Sequence, residues 1–171
     1  IQLDQDEAGN WYKNIFCPTC GIKTVHRKLK STEILSTDLK ARSGIPAKIA
    51  KRAKELYGCI DEYSMRTEPA NKLEIDHRTP QVRWTSNEDD NSNLTDEQIK
   101  EKFMLLTSPN NLLKSRICEE CAKTNKRGKG YKVIEFWYEG TEQYDESVGC
   151  KGCFWHNPSA WREELNKKIK E

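Results

Sequence analysis

Six of the seven cysteines fall in three C-x2-C pairs: Cys17/Cys20, Cys118/Cys121 and Cys150/Cys153. Two thiolates at that spacing can bind one tetrahedral metal, whereas disulfide frameworks rarely repeat one short spacing three times. The odd total, with Cys59 left over, also argues against a fully paired disulfide set. Structural zinc is therefore expected, and with it a reducing compartment. The second chemical feature is Asp76-His77. An Asp carboxylate is a hard oxygen ligand for Mg²⁺ or Mn²⁺, and an imidazole titrating near neutral pH can act as a general base. Such a dipeptide is common, so on its own it is equally compatible with an ordinary surface histidine.

Four paired thiolates complete one closed zinc site, which is structural because it leaves no open position. Two cysteines then need partners, and His26, Cys59 and His156 are the candidates. Joining Cys118/Cys121 to Cys150/Cys153 spans the shorter loop and makes a zinc ribbon.

The elements that must hold these residues can be read from pattern. Trp11 to Phe16 and Thr24 to Leu29 read as short strands around the first cysteine pair. Ser31 can cap a helix with Ile34, Leu35 and Leu39 on its apolar side. A second helix runs from about Pro46 to Tyr57, with Gly58 just past its end. Its stripe is Ile45, Ile49, Ala53, Leu56 and Tyr57, and Lys48, Lys51 and Arg52 occupy much of its remaining surface. Leu73 to His77 alternates as a strand, placing Asp76 and His77 on opposite faces. Residues 87–93 read as an exposed acidic loop. Thr95 with Gln98 forms a capping-box pattern. Phe103 to Thr107 is an apolar strand, and Ser108-Pro109 opens a helix carrying Asn110, Asn111, Lys114 and Arg116. Tyr131 to Tyr138 reads as an aromatic strand, and Asn157-Pro158 starts a last helix.

The resulting class is α+β. Hydrophobic residues make up 35% of the 171 and charged ones 33%, a thin core that metal staples would support. Net charge is only +2, so any nucleic-acid face must come from local clusters of Lys and Arg. No stretch has the length of a membrane span, and no signal peptide is visible.

The segment Leu73 to Cys121 resembles the ββα-metal core of HNH nucleases. Asp76-His77 sits where that family has its D-H or H-H pair. Leu106-Thr107-Ser108-Pro109-Asn110-Asn111-Leu112-Leu113-Lys114-Ser115 is similar to the helix start in HNH domains of CRISPR effector nucleases, with one residue fewer before the metal-binding Asn. Gly149 to Trp155 with Asn157-Pro158 and Trp161-Arg162 looks like the tail of HNH-type restriction endonucleases. The resemblance implies Asp76 and Asn111 as ligands of one Mg²⁺ or Mn²⁺ and His77 as the base. Asn110 is a rival to Asn111. It implies phosphate contacts from Lys114 and Arg116, more weakly from Arg78, alongside Lys48, Lys51 and Arg52. Ala122 stands where many relatives have a metal-binding His or Asn, which moves that role to Asn111 or, less well, Asn125. The family's middle Asn has no clear counterpart, Asn93 being one guess. Many relatives join a knuckle before the catalytic strand to one after the helix, here Cys17/Cys20 with Cys118/Cys121.

Three regions are expected within one compact domain: 1–72 with a zinc knuckle and helices, 73–127 as the ββα-metal core, and 128–171 as strand, knuckle and helix. The implied activity is a type II restriction endonuclease. It would cut both strands of double-stranded DNA at a short site, leave 5′-phosphate and 3′-OH ends, act as a homodimer and work in a bacterial or archaeal cytoplasm. The alternatives are a non-catalytic zinc-finger DNA-binding module, or an HNH nuclease of homing, toxin or modification-dependent type. Arg83, Trp84 and the 42–52 region are candidates for base readout.

Overall fold

The computed structural model describes residues 4–7, 9, 11–19, 21–27 and 40–170. It divides into two units, Ile1–Asp38 and Leu39–Glu171. The helix expected after Ser31 and the second member of the first cysteine pair, Cys20, lie outside the described residues. In the first unit, β1 (Lys13–Phe16) pairs antiparallel with β2 (Lys23–His26), in the register Lys13 opposite His26.

The second unit is mixed α+β. Its helices are α1 (Ala47–Leu56), α2 (Asp96–Lys102), α3 (Ser108–Thr124) and α4 (Pro158–Lys170). Its strands β3 (Leu73–His77) and β4 (Phe103–Thr107) pair antiparallel. Asp76 stands opposite Met104 and His77 opposite Phe103. Phe103, Met104, Leu105 and Leu106 are all buried, because β4 is covered on both faces. One face carries Ile75 and Phe103 into a core with Ile49 and Ala53 of α1 and Ile99 of α2. The other face carries Glu74 and Asp76 toward α3.

Two helix starts follow local chemistry differently. Thr95 and Gln98 form the full capping box of α2, each side chain meeting the other's backbone N–H. At α3 the cap residue is Thr107, not Ser108, and its side chain makes no capping bond. A fully buried Asp61 instead ties down the residue before the helix and the Asn110 side chain. It accepts from Thr107 N at 2.6 Å, Ser64 N at 2.7 Å and Asn110 Nδ2 at 2.9 Å. Burial raises the Asp61 pKa, but these donors outweigh it and the net shift is downward.

The expected strand at Tyr131 to Tyr138 is not formed. Residues 131–133 are turn, with positive φ at Tyr131 and Lys132, and only a single bridge joins Gly130 to Ile134. The aromatic side chains pack instead around Phe154 and Trp161, with Phe154 and Trp161 ring centroids 5.1 Å apart. Burial of large rings against α4 gains more than a ladder with no partner strand to complete it. Gly130 is required there: a Cβ would come within 2.4 Å of Trp161.

Candidate active site

Asp76 and His77 end β3 and project to opposite faces, as the alternation of a strand demands. On the α3 face, Glu74, Asp76, Asn111, Lys114 and Arg42 line one open cleft. Asp76 is half-buried and accepts a hydrogen bond from Lys114 Nζ. The same ammonium donates to the His77 carbonyl at 2.5 Å and is itself buried. Asn111 Nδ2 donates to Glu74 Oε2 at 2.7 Å, which leaves its amide oxygen as the atom a metal could use. Asn110 is engaged with Asp61 and is not among the cleft residues. Three oxygen-bearing side chains on one cleft suit a hard divalent cation, which takes one or two carboxylates and completes its shell with water.

On the other face, His77 is buried with its ring edge-on to both Trp84 and Phe103, at 4.9 Å from each. Its Nε2 lies 2.6 Å from Glu88 Oε1. Burial lowers the His77 pKa, and the net shift stays downward although Glu88 and Asp76 oppose it. Glu88 was expected on an exposed loop; its side chain is instead 3% exposed. Lys102 Nζ at 2.8 Å, Asn91 Nδ2 at 3.0 Å and Ser43 N at 2.7 Å donate to it as well. Burial alone would raise its pKa, but these donors and His77 pull it down to about 2. Arg42 reaches both sides of the strand end, lining the Asp76 cleft and stacking over Trp84 at 5.9 Å.

Cys118, Cys121, Cys150 and Cys153 line a single cavity of about 20 Å³ together with His156. None of the four, nor Cys59, is in a disulfide. Burial pushes the Cys118 thiol up to about 12 and Cys153 up to about 11, and raises Cys150 as well. His156 Nδ1 is buried without a partner, and burial beside Arg78 and Lys114 lowers its pKa to about 4. Among the described residues, no three His, Cys, Asp or Glu groups could hold a metal as they stand. Thiolates are soft donors of the kind that structural zinc takes, and these four share the lining of that cavity. Cys17 belongs to the first unit, where His26 Nε2 lies 2.9 Å from Thr24 Oγ1. Cys59 has positive φ and does not line the cysteine cavity.

Two expected phosphate contacts are committed elsewhere. Arg78 is buried, donating to Glu62 at 2.8 Å, to Tyr57 Oη at 3.0 Å and to the Lys100 carbonyl at 2.7 Å. A guanidinium saturated inside the fold has no donor to offer a phosphate. Lys114 is likewise spent on Asp76 and the strand end. Arg83, a candidate for base readout, stacks on Tyr144 at 3.5 Å and donates to the Cys121 carbonyl at 2.8 Å. Arg116, Lys48 and Lys51 remain exposed, while Arg52 is shared between Asp96 and Glu55. Sequence reasoning did not single out Glu74 or Glu88. Glu74, two residues before Asp76 on the strand, was findable by periodicity. Glu88 carried no local signal.

The chain matches the sequence model of the ICEA protein family over residues 42–171. It is also 32% identical over 103 residues to the type II restriction enzyme NlaIII of Neisseria lactamica. That match covers 57% of this chain and 42% of the enzyme, so the chain spans less than half the length of this curated relative. No solved structure matches.

Proposed function

This chain belongs to the ICEA protein family, and we propose that it is an HNH-type, metal-dependent DNA endonuclease of the type II restriction class. The observation that carries this reading is the end of β3, where Asp76 and Asn111 share a cleft while a carboxylate-backed His77 occupies the opposite side of the same two-residue step. The similarity to a restriction enzyme supports DNA as the substrate.

Asp76 and Asn111 would hold Mg²⁺ or Mn²⁺, with Glu74 orienting the Asn111 amide. When bound, such an ion neutralises charge on the scissile phosphate and stabilises the departing 3′-oxygen. His77, neutral because burial holds its pKa down, takes the proton of the attacking water and leaves 5′-phosphate and 3′-OH ends. Lys114 neutralises Asp76 until the cation replaces it, and Arg42 at the cleft rim grips the neighbouring phosphate. Exposed Lys48, Lys51 and Arg116 supply sequence-independent backbone contacts. Cys118, Cys121, Cys150 and Cys153 would draw in around one structural zinc ion, and Cys17, Cys20 and His26 would contribute to a second. Cleavage of both strands calls for two active sites, which a two-fold homodimer supplies.

The test is Mg²⁺-dependent cleavage of plasmid DNA by wild type, Asp76→Ala and His77→Ala. The expected result is discrete fragments from wild type and a loss of about 10²-fold or more in rate from His77→Ala. Equal cleavage by wild type and His77→Ala would overturn the catalytic reading and leave a DNA-binding module.

A further inference from the structure

We propose that Glu88 is a positioning residue for His77, holding the imidazole in the single tautomer and orientation that leave Nδ1 as its basic nitrogen. The proposal rests on the reading of His77 as the base and adds a residue that the motif does not contain.

Geometry carries the argument. The Glu88 side chain is 3% exposed and its Oε1 lies 2.6 Å from His77 Nε2. An ionised carboxylate can only accept hydrogen bonds. The bond therefore requires the proton on Nε2, and the lone pair falls to Nδ1. The carboxylate is itself fixed from three directions. Ser43 N donates from the segment before α1, Asn91 Nδ2 from the loop, and Lys102 Nζ from the end of α2. Lys102 also donates to Asn91 Oδ1 at 2.6 Å, closing the ring of contacts around Glu88. Trp84 and Phe103 meet the imidazole edge-on, each at 4.9 Å, and pack against the ring that Glu88 holds.

A carboxylate needed only for folding would be fully served by Lys102, Asn91 and Ser43. The contact with His77 is the one those donors do not explain. It also accounts for the long acidic stretch between β3 and β4, whose Glu88 and Asn91 turn inward to build this shell. During proton transfer from water to Nδ1, the Nε2–H bond to Glu88 is retained and Glu88 stays ionised, so no proton passes beyond the ring.

The experiment uses the full chain as wild type, Glu88→Gln and His77→Ala. Two-bond ¹⁵N–¹H spectra of the metal-free protein at neutral pH read the His77 tautomer. Steady-state cleavage of DNA separates kcat from KM. Wild type should show protonated Nε2 and bare Nδ1. In Glu88→Gln the amide can donate as well as accept, so both tautomers should appear, with kcat down at least about tenfold and KM within about twofold. A wild-type ring protonated at Nδ1 would overturn the proposal. So would a folded Glu88→Gln with the wild-type ring spectrum or the wild-type kcat. Should Glu88→Gln not fold, the wild-type tautomer alone decides. If His77→Ala cleaves normally, the base assignment falls while the spectrum still reports whether Glu88 holds the ring.

Discussion

Replacing Lys114 by Met tests the link between fold and metal site in one variant. The Lys114 side chain is 4% exposed and that of Asp76 15%. Met keeps the aliphatic bulk but removes the ammonium, leaving the Asp76 carboxylate and the His77 carbonyl without their shared donor. Breaking a buried pair costs about 3–5 kcal/mol. Asp76 retains some access to water, so the lower end, about 3 kcal/mol, is the expected loss. For a unit of this size each kcal/mol shifts Tm by about 3–4 °C, which predicts a fall near 10 °C in metal-free buffer. A divalent cation at Asp76 replaces the missing charge and returns much of that loss. If about 2 kcal/mol is regained, Mg²⁺ should bind Lys114→Met roughly 30-fold more tightly than wild type, and its thermal shift should be larger in proportion. Differential scanning fluorimetry across a Mg²⁺ titration, without DNA, reads both quantities. A metal-free Tm within about 2 °C of wild type would refute the buried pairing. An unchanged Mg²⁺ shift would refute Asp76 as the ligand.

Two further outcomes test other parts of the molecule. Cys153→Ser should lose one zinc per chain by elemental analysis and roughly 5 kcal/mol or more of stability, whereas Cys59→Ser should leave the metal content unchanged; equal zinc in all three proteins would dismiss the four-cysteine site. The Glu88 pKa of about 2 lies below its ordinary 4.5, so its stabilisation is complete above pH 4.5 and is lost as pH falls toward 2. Urea unfolding between those limits should therefore show a flatter pH dependence for Glu88→Gln than for wild type, and coincident slopes would mean the Glu88 cluster does not form in solution.

The sequence by itself determined the features whose causes are local. Leu73 to His77 alternates and Phe103 to Leu106 is unbroken apolar, and the strands run Leu73–His77 and Phe103–Thr107. Thr95 with Gln98 specifies a cap that four residues suffice to build. Pro46 and Gly58 bracket α1 closely because each acts on its own backbone. Asn157 caps α4 through the Ala160 N–H, again within a few residues.

Only the tertiary structure decided the partners. Arg78 and Lys114 read as surface cations in a charged sequence, yet Glu62 and Asp76 hold them inside the fold. Tyr131 to Tyr138 has the composition of a strand, but a strand needs a neighbour, and the nearest large surface is the Phe154 and Trp161 cluster. Asn110 and Asn111 are adjacent and chemically equal; the position of Asp61, some fifty residues earlier, separates them. Glu88 shows the limit most clearly. Acidic neighbours and no apolar period mark its segment as solvent-exposed, and its burial depends on Ser43, His77 and Lys102 arriving from three distant elements. Periodicity and capping act within one turn or one strand, so they are written locally. The charge that a buried group meets is supplied by chain closure, and no local pattern encodes it.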